Sequence, residues 1–167
     1  MRRAAPLLFL GAMIAAAACV LATAPGLPER VATHFGGSGV ADGWMTRAGY
    51  VRFMLLFVVV LPSVLLAAIG LLPRLLPQWV NLPNRTYWLA PERRDDSLHF
   101  LLAHACWFGV LMLLFMVAIH YLLLQANAAS PPRLSTAPFV ALLTAFVAGL
   151  GVWMATLYRR FRVYPAR

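Results

Sequence analysis

The sequence predicts an all-α integral membrane protein, a four-span helical bundle with both termini inside and an ordered Gly-rich outer loop between spans one and two. Three observations carry that prediction. Of 167 residues 62% are hydrophobic and only 11% charged, and the mean hydropathy of +0.79 lies outside the range of a soluble domain that presents charge to water. Four apolar runs, at about 4–24, 53–72, 100–124 and 139–158, are each long enough at about 1.5 Å per residue to cross a hydrocarbon core of about 30 Å. The polar residues gather in the connections between those runs, so that residues 1–167 read as a single membrane domain.

The first run opens after Arg2 and Arg3 and ends at Ala22-Thr23-Ala24, which also satisfies the pattern of a cleavable signal peptide; Pro25 just after the cut and the length of the run speak for a retained span. Gly11, Ala15, Cys19 and Thr23 recur every fourth residue and form a stripe of small side chains that a second helix can approach closely. Span two has no charge and carries Pro62 near its middle, where a kink is expected. Pro91, followed by Glu92 and two aspartates, has the form of a helix start leading into span three. A short proline-rich loop then precedes span four and its basic tail, and Ala141, Ala145 and Gly149 form a second small-residue stripe.

All fourteen basic residues are arginine, against five acids. In so apolar a chain this balance fits lipid-facing ends better than nucleic acid, so the lipid bilayer is the expected partner. Ten arginines lie at the N-terminus, in the 73–98 connection and in the tail, and four lie in the other two loops. The positive-inside rule therefore puts both ends and the 73–98 inner loop in the cytoplasm and the 25–50 loop outside, in a multi-pass protein of the cell inner membrane. Trp44 and Tyr50 at one boundary, and Trp79, Trp153 and Tyr158 at the other, read as interfacial aromatic belts. Cys19 and Cys106 then lie at different depths, too far apart for a disulfide, and are expected as reduced thiols.

The outer loop carries the most chemistry. The segment ERVATHF alternates polar and apolar residues as a short extended stretch, GGSG breaks it, and Asp42-Gly43 forms a turn that folds the chain back before Trp44. A purely structural role, in which His34 and Asp42 satisfy backbone groups and Phe35 and Trp44 anchor the loop, competes with a ligand-binding role for His34, Phe35, Gly39, Asp42, Gly43 and Trp44.

The pattern LPERVATHFGGSGVADGW, through Leu27, Pro28, Val31, His34, Phe35, Gly39, Asp42, Gly43 and Trp44, resembles the signature of the domain of unknown function 1648. This is a bacterial membrane family whose domain also occurs at the start of the immunity protein against the sporulation-delaying toxin. A second segment, NLPNRTYWLAPERR (Asn81–Arg94), is similar to the inner segment of small members of the family. Ala32 departs from the proline usual at its position, and the toxin-immunity protein has six spans against four here. The resemblance implies an immunity or signalling role.

Other chemistries have less support. A metal site would draw on His34 and Asp42, with Glu29 and His120 nearby, but no two-histidine ligand spacing occurs. Along span three His104 lies about 140° from His99 and His120 about 160° from His104, so the three share no face for a proton relay. His104 and His120 fall near the interfaces, where imidazole is cheap. GGSGV is not a nucleophile elbow, no acid or base lies deep in a span, and no cofactor fingerprint occurs. The inner segment reads as a membrane-surface collar, with Tyr87, Trp88 and Leu89 dipping into the bilayer and Arg85, Arg93 and Arg94 meeting headgroups.

Recognition of an apolar or amphipathic ligand, such as a peptide, lipid or partner helix, by the outer loop and the ends of spans two and three is the expected function. A structural or accessory subunit of a larger membrane complex, packing through the small-residue stripes, is the alternative. An enzyme with a metal-bound outer site is the second alternative.

Overall fold

The computed structural model describes residues 4–162. Arg2 and Arg3, which carry the signal-peptide reading and part of the arginine count, and the tail beyond Arg162 with Arg167 lie outside the described residues. Four helices are long and apolar enough to cross a membrane: Ala4–Gly26, Arg47–Leu75, Pro91–Ala128 and Thr136–Arg162. The protein is a multi-pass membrane protein built on these four spans. Between the first two sits a two-stranded antiparallel sheet, β1 (Arg30–Phe35) and β2 (Ala41–Thr46), so the extended stretch expected on one side of the glycines is a hairpin on both.

Each boundary has a local cause. Thr46 caps the second span by accepting the Gly49 N–H on its side chain at 3.1 Å, which starts that helix six residues before the apolar run. Pro91 opens the third span, where the missing N–H costs nothing. Its 38 residues extend about 57 Å, well beyond a hydrocarbon core of about 30 Å, so the helix projects past its apolar segment. In the second span the expected disturbance at Pro62 takes a specific form. Wider π turns at Leu56–Val60 and Ala67–Leu71 precede Pro62 and Pro73, and they relieve the clash of each proline ring with the preceding turn.

The third span is the hub, packed against the other three. Phe9, Val20, Val31, Tyr50, Met54, Val58 and Leu113 form the main core between the first three spans and the base of the hairpin. Gly109 is a point of closest approach, because a Cβ there would run into the Phe9 ring. Gly70 likewise lets the second span close on Leu102. The fourth span packs on the third yet buries only Phe161 among its described residues, so the bundle is three helices around a core with a fourth laid on the hub.

The small-residue stripes enter the internal seams at only one end of each, where Thr23 bonds His120 and Gly149 stands against Leu111. Gly11 and Ala15 are exposed, and the buried face of the first span is instead Ala5, Phe9, Ala16 and Val20. Ala141 and Ala145 are also exposed. The larger side chains turn inward because the facing helix supplies its own small residue, Gly109, at the contact. Cys19 and Cys106 are free thiols.

Candidate functional site

The hairpin is shaped by its glycines. Gly43 stands opposite His34, and a Cβ on it would come within 2.7 Å of the His34 Cβ, so only glycine lets the strands close at this bulged register. Across that closure His34 Nδ1 donates to Asp42 Oδ1 at 2.5 Å, with both side chains largely exposed. The tip is tied by Gly36 N–H to the Val40 carbonyl at 2.9 Å and Gly39 N–H to the Gly36 carbonyl at 2.8 Å. Gly39 adopts φ +77°, and a side chain there would strike the Leu134 carbonyl.

Two anchors seat the hairpin on the bundle. Asn127, near the end of the third span, acts as a substitute strand: its Oδ1 accepts the Ala32 N–H at 2.8 Å and its Nδ2 donates to the Ala32 carbonyl at 3.0 Å. The first of these bonds needs the N–H that a proline at position 32 would lack. The second anchor is the loop between spans three and four, where Leu134 N–H donates to the Gly39 carbonyl at 2.9 Å and the Arg133 guanidinium to the Ser38 carbonyl at 3.2 Å. Beneath the hairpin, His120 bridges the first two spans through Thr23 and Tyr50.

Between the hairpin and the ends of spans three and four lies an open cavity of about 440 Å³. Its floor is apolar, with Ile119, Leu122, Leu123 and Phe139, and its lip carries Thr33, His34 and Thr136. Of the expected binding residues, His34, Phe35 and Gly39 line it. Asp42 and Gly43 act behind them, by holding and admitting His34, and Trp44 lies on β2 away from the lining. The cavity lies against spans three and four, where the hairpin tip is bonded to the loop that joins them.

The metal alternative is not assembled. Both ring nitrogens of His120 are engaged by Thr23 Oγ1 at 2.7 Å and Tyr50 Oη at 2.6 Å, and no three histidine, cysteine, aspartate or glutamate side chains come together among the described residues. Tyr50, expected at an interface, is 1% exposed and part of this network. His120 is 1% exposed and forms a buried bridge.

At the opposite end the inner segment is packed on the bundle. Trp88 Nε1 donates to the Phe161 carbonyl at 2.9 Å and Asn84 donates to the Phe161 and Arg162 carbonyls, so this segment caps the fourth span. Trp88 and Leu89, partly buried, pack on Leu98, Leu101 and Phe161. Arg93 lies over the Tyr87 ring, Arg160 over Trp88, and Arg85 and Arg94 donate to the carbonyls of Gln78 and Arg74. Trp153, expected in a belt, exchanges hydrogen bonds with His104: its Nε1 donates to the His104 carbonyl at 2.9 Å and its carbonyl accepts His104 Nε2–H at 3.0 Å. Trp79, 75% exposed, and Tyr158, 53% exposed, keep outward positions.

Asn127, Thr23 and Tyr50 were absent from the sequence-derived site. For Asn127 a signal existed: a carboxamide one turn beyond Leu123, at the end of an apolar run, needs partners. Residues 10–66 match a family described as a domain of unknown function (DUF1648), a stretch that holds the hairpin, Thr23 and Tyr50 but neither Asn127, His120 nor the second segment at Asn81–Arg94. No curated protein and no solved structure matches the chain.

Proposed function

Taking as premise that residues 10–66 belong to the DUF1648 family within a multi-pass membrane protein, we propose that this is a recognition module whose hairpin and adjoining helix ends bind an apolar or amphipathic ligand. The observation that carries the reading is the cavity of about 440 Å³ under the hairpin, apolar in its floor and polar at its lip. An amphiphile would lay its apolar part along Leu123 and Phe139 and meet His34 with its polar part. Asp42 serves as a positioning residue, since its bond to Nδ1 fixes which face of the imidazole looks into the cavity. The arginine distribution supports a hairpin outside an inner membrane, with both ends of the chain inside. A role in immunity or signalling would follow if the ligand is a membrane-active peptide.

The test is native mass spectrometry of the protein extracted in mild detergent from its own membrane, beside the H34A/D42A variant. A lipid or peptide mass on the wild type that is lost in the variant, with thermal unfolding of the helices unchanged, supports recognition. The same species bound equally by both proteins, or by neither, overturns it.

A second reading rests on the exposed Gly11/Ala15 and Ala141/Ala145 faces, which suit close packing against another membrane subunit. Leucine at Ala15 and Ala145 would then dissociate a co-purifying subunit and leave ligand binding at the hairpin intact.

A further inference from the structure

We propose that the end of the bundle opposite the hairpin binds an anionic glycerophospholipid, its phosphate held between Arg74 and Arg94 and one acyl chain laid into an adjoining apolar cavity. The site is separate from the hairpin and does not rest on the recognition reading above. Arg74 ends the second span and Arg94 lies in the first turns of the third. Together with Asp95, Leu98 and His99 they line a cleft of about 340 Å³. The Arg94 guanidinium donates to the Arg74 backbone carbonyl at 3.3 Å, which ties the Arg94 side chain to the end of the second span. Arg74 Nε is buried without an acceptor, and neither guanidinium forms an ion pair among the described residues. Asp95 lines the same cleft without pairing with either, so two arginines against one aspartate leave the cleft positive. His99 is fixed by its Nδ1–H, which donates to the Asp95 carbonyl at 2.7 Å. Two guanidiniums that line one cleft and have no carboxylate partner among the described residues match the charge of a phosphodiester.

The cleft does not stand alone. Pro73, beside Arg74, and Leu101, one turn along from Leu98, line an apolar cavity of about 250 Å³ between spans two, three and four, with Ala68, Leu72 and Trp153 among its walls. A basic cleft whose lining residues neighbour those of an apolar cavity on the same two spans fits a molecule with a phosphate head and a hydrocarbon tail. A soluble phosphate would use the cleft and leave the cavity idle.

The experiment is a native mass spectrometry titration of the whole chain in neutral detergent with phosphatidylglycerol, phosphatidylcholine and inorganic phosphate. The wild type is expected to retain phosphatidylglycerol over phosphatidylcholine, and R74Q/R94Q to bind it at least about tenfold more weakly. A68W, which fills the cavity, weakens both lipids. D95N removes the one negative charge in the cleft and tightens phosphatidylglycerol binding, a gain that misfolding does not produce. Equal binding of the two lipids by the wild type, or D95N and R74Q/R94Q without effect, overturns the proposal. Displacement of phosphatidylglycerol by millimolar phosphate, with A68W silent, assigns the cleft to the free anion and overturns the lipid.

Discussion

The Tyr50 hydroxyl lies 2.6 Å from His120 Nδ1, with the two rings stacked at 5.7 Å between centroids and both side chains 1% exposed. The third member sets the direction of the bonds. Thr23 spends its only O–H on the Cys19 carbonyl at 2.8 Å, so its oxygen accepts from His120 Nε2–H and Nδ1 is left to accept from Tyr50. This chain joins spans one, two and three directly below the hairpin, with Tyr50 and His120 closed off from the surface.

Removal of the imidazole therefore strands a buried hydroxyl. H120F is expected to destabilise the bundle by about 1–3 kcal/mol, and Y50F by less, since the phenylalanine leaves only Nδ1 without a partner. The double variant H120F/Y50F is expected to cost less than the sum of the two, because the second change removes the stranded hydroxyl. Thermal unfolding in one detergent reads all three; strict additivity would show that the two side chains are not coupled.

The hairpin is held to the third span at one residue from each side, Ala32 and Asn127. N127A is expected to raise amide hydrogen exchange across residues 30–46 with little change in the spans, and A32P, which deletes the donating N–H at Ala32, to do so more weakly. N127D keeps the acceptor but loses the donor and falls between N127A and the wild type. Unchanged exchange in N127A would mean that the loop after the third span seats the hairpin alone.

Glycine at position 43 is a requirement of close strand approach, and at position 39 of a positive φ and a carbonyl at contact distance. G43V and G39A are each expected to cost at least about 1 kcal/mol. G43V also parts His34 from Asp42, so the NMR signals of the imidazole should shift toward those of the D42N variant. An unshifted His34 in G43V would show that the pair tolerates a wider hairpin.

His104 and Trp153 clamp the fourth span to the hub by two reciprocal bonds and a ring stack with centroids 4.6 Å apart. W153A, which removes the ring stack and the Nε1 donor and leaves the Trp153 carbonyl, is expected to loosen the middle of the fourth span, with a lower yield of a cross-link engineered there between spans three and four. W153F, which keeps the ring and the carbonyl but not the Nε1 donor, retains most of the cross-linking.

Four spans, their order, the helix start at Pro91 and the extended stretch before the glycines follow from the sequence by itself, because apolar run length, proline position and alternation are local properties that the chain carries wherever it packs. Tertiary structure alone decided the rest. Whether His120 faces outward or bridges Tyr50 and Thr23, and whether Trp153 faces outward or His104, depends on how each helix is rotated about its axis. In a chain this apolar all round, hydrophobicity exerts too little torque to fix that rotation. It is set by a few shape and hydrogen-bond matches between residues far apart in sequence: Phe9 on Gly109, Leu102 on Gly70 and Ala32 on Asn127. For the same reason the position of the cavity became visible only once Leu134 was bonded to Gly39, which carries the hairpin tip over to the third and fourth spans.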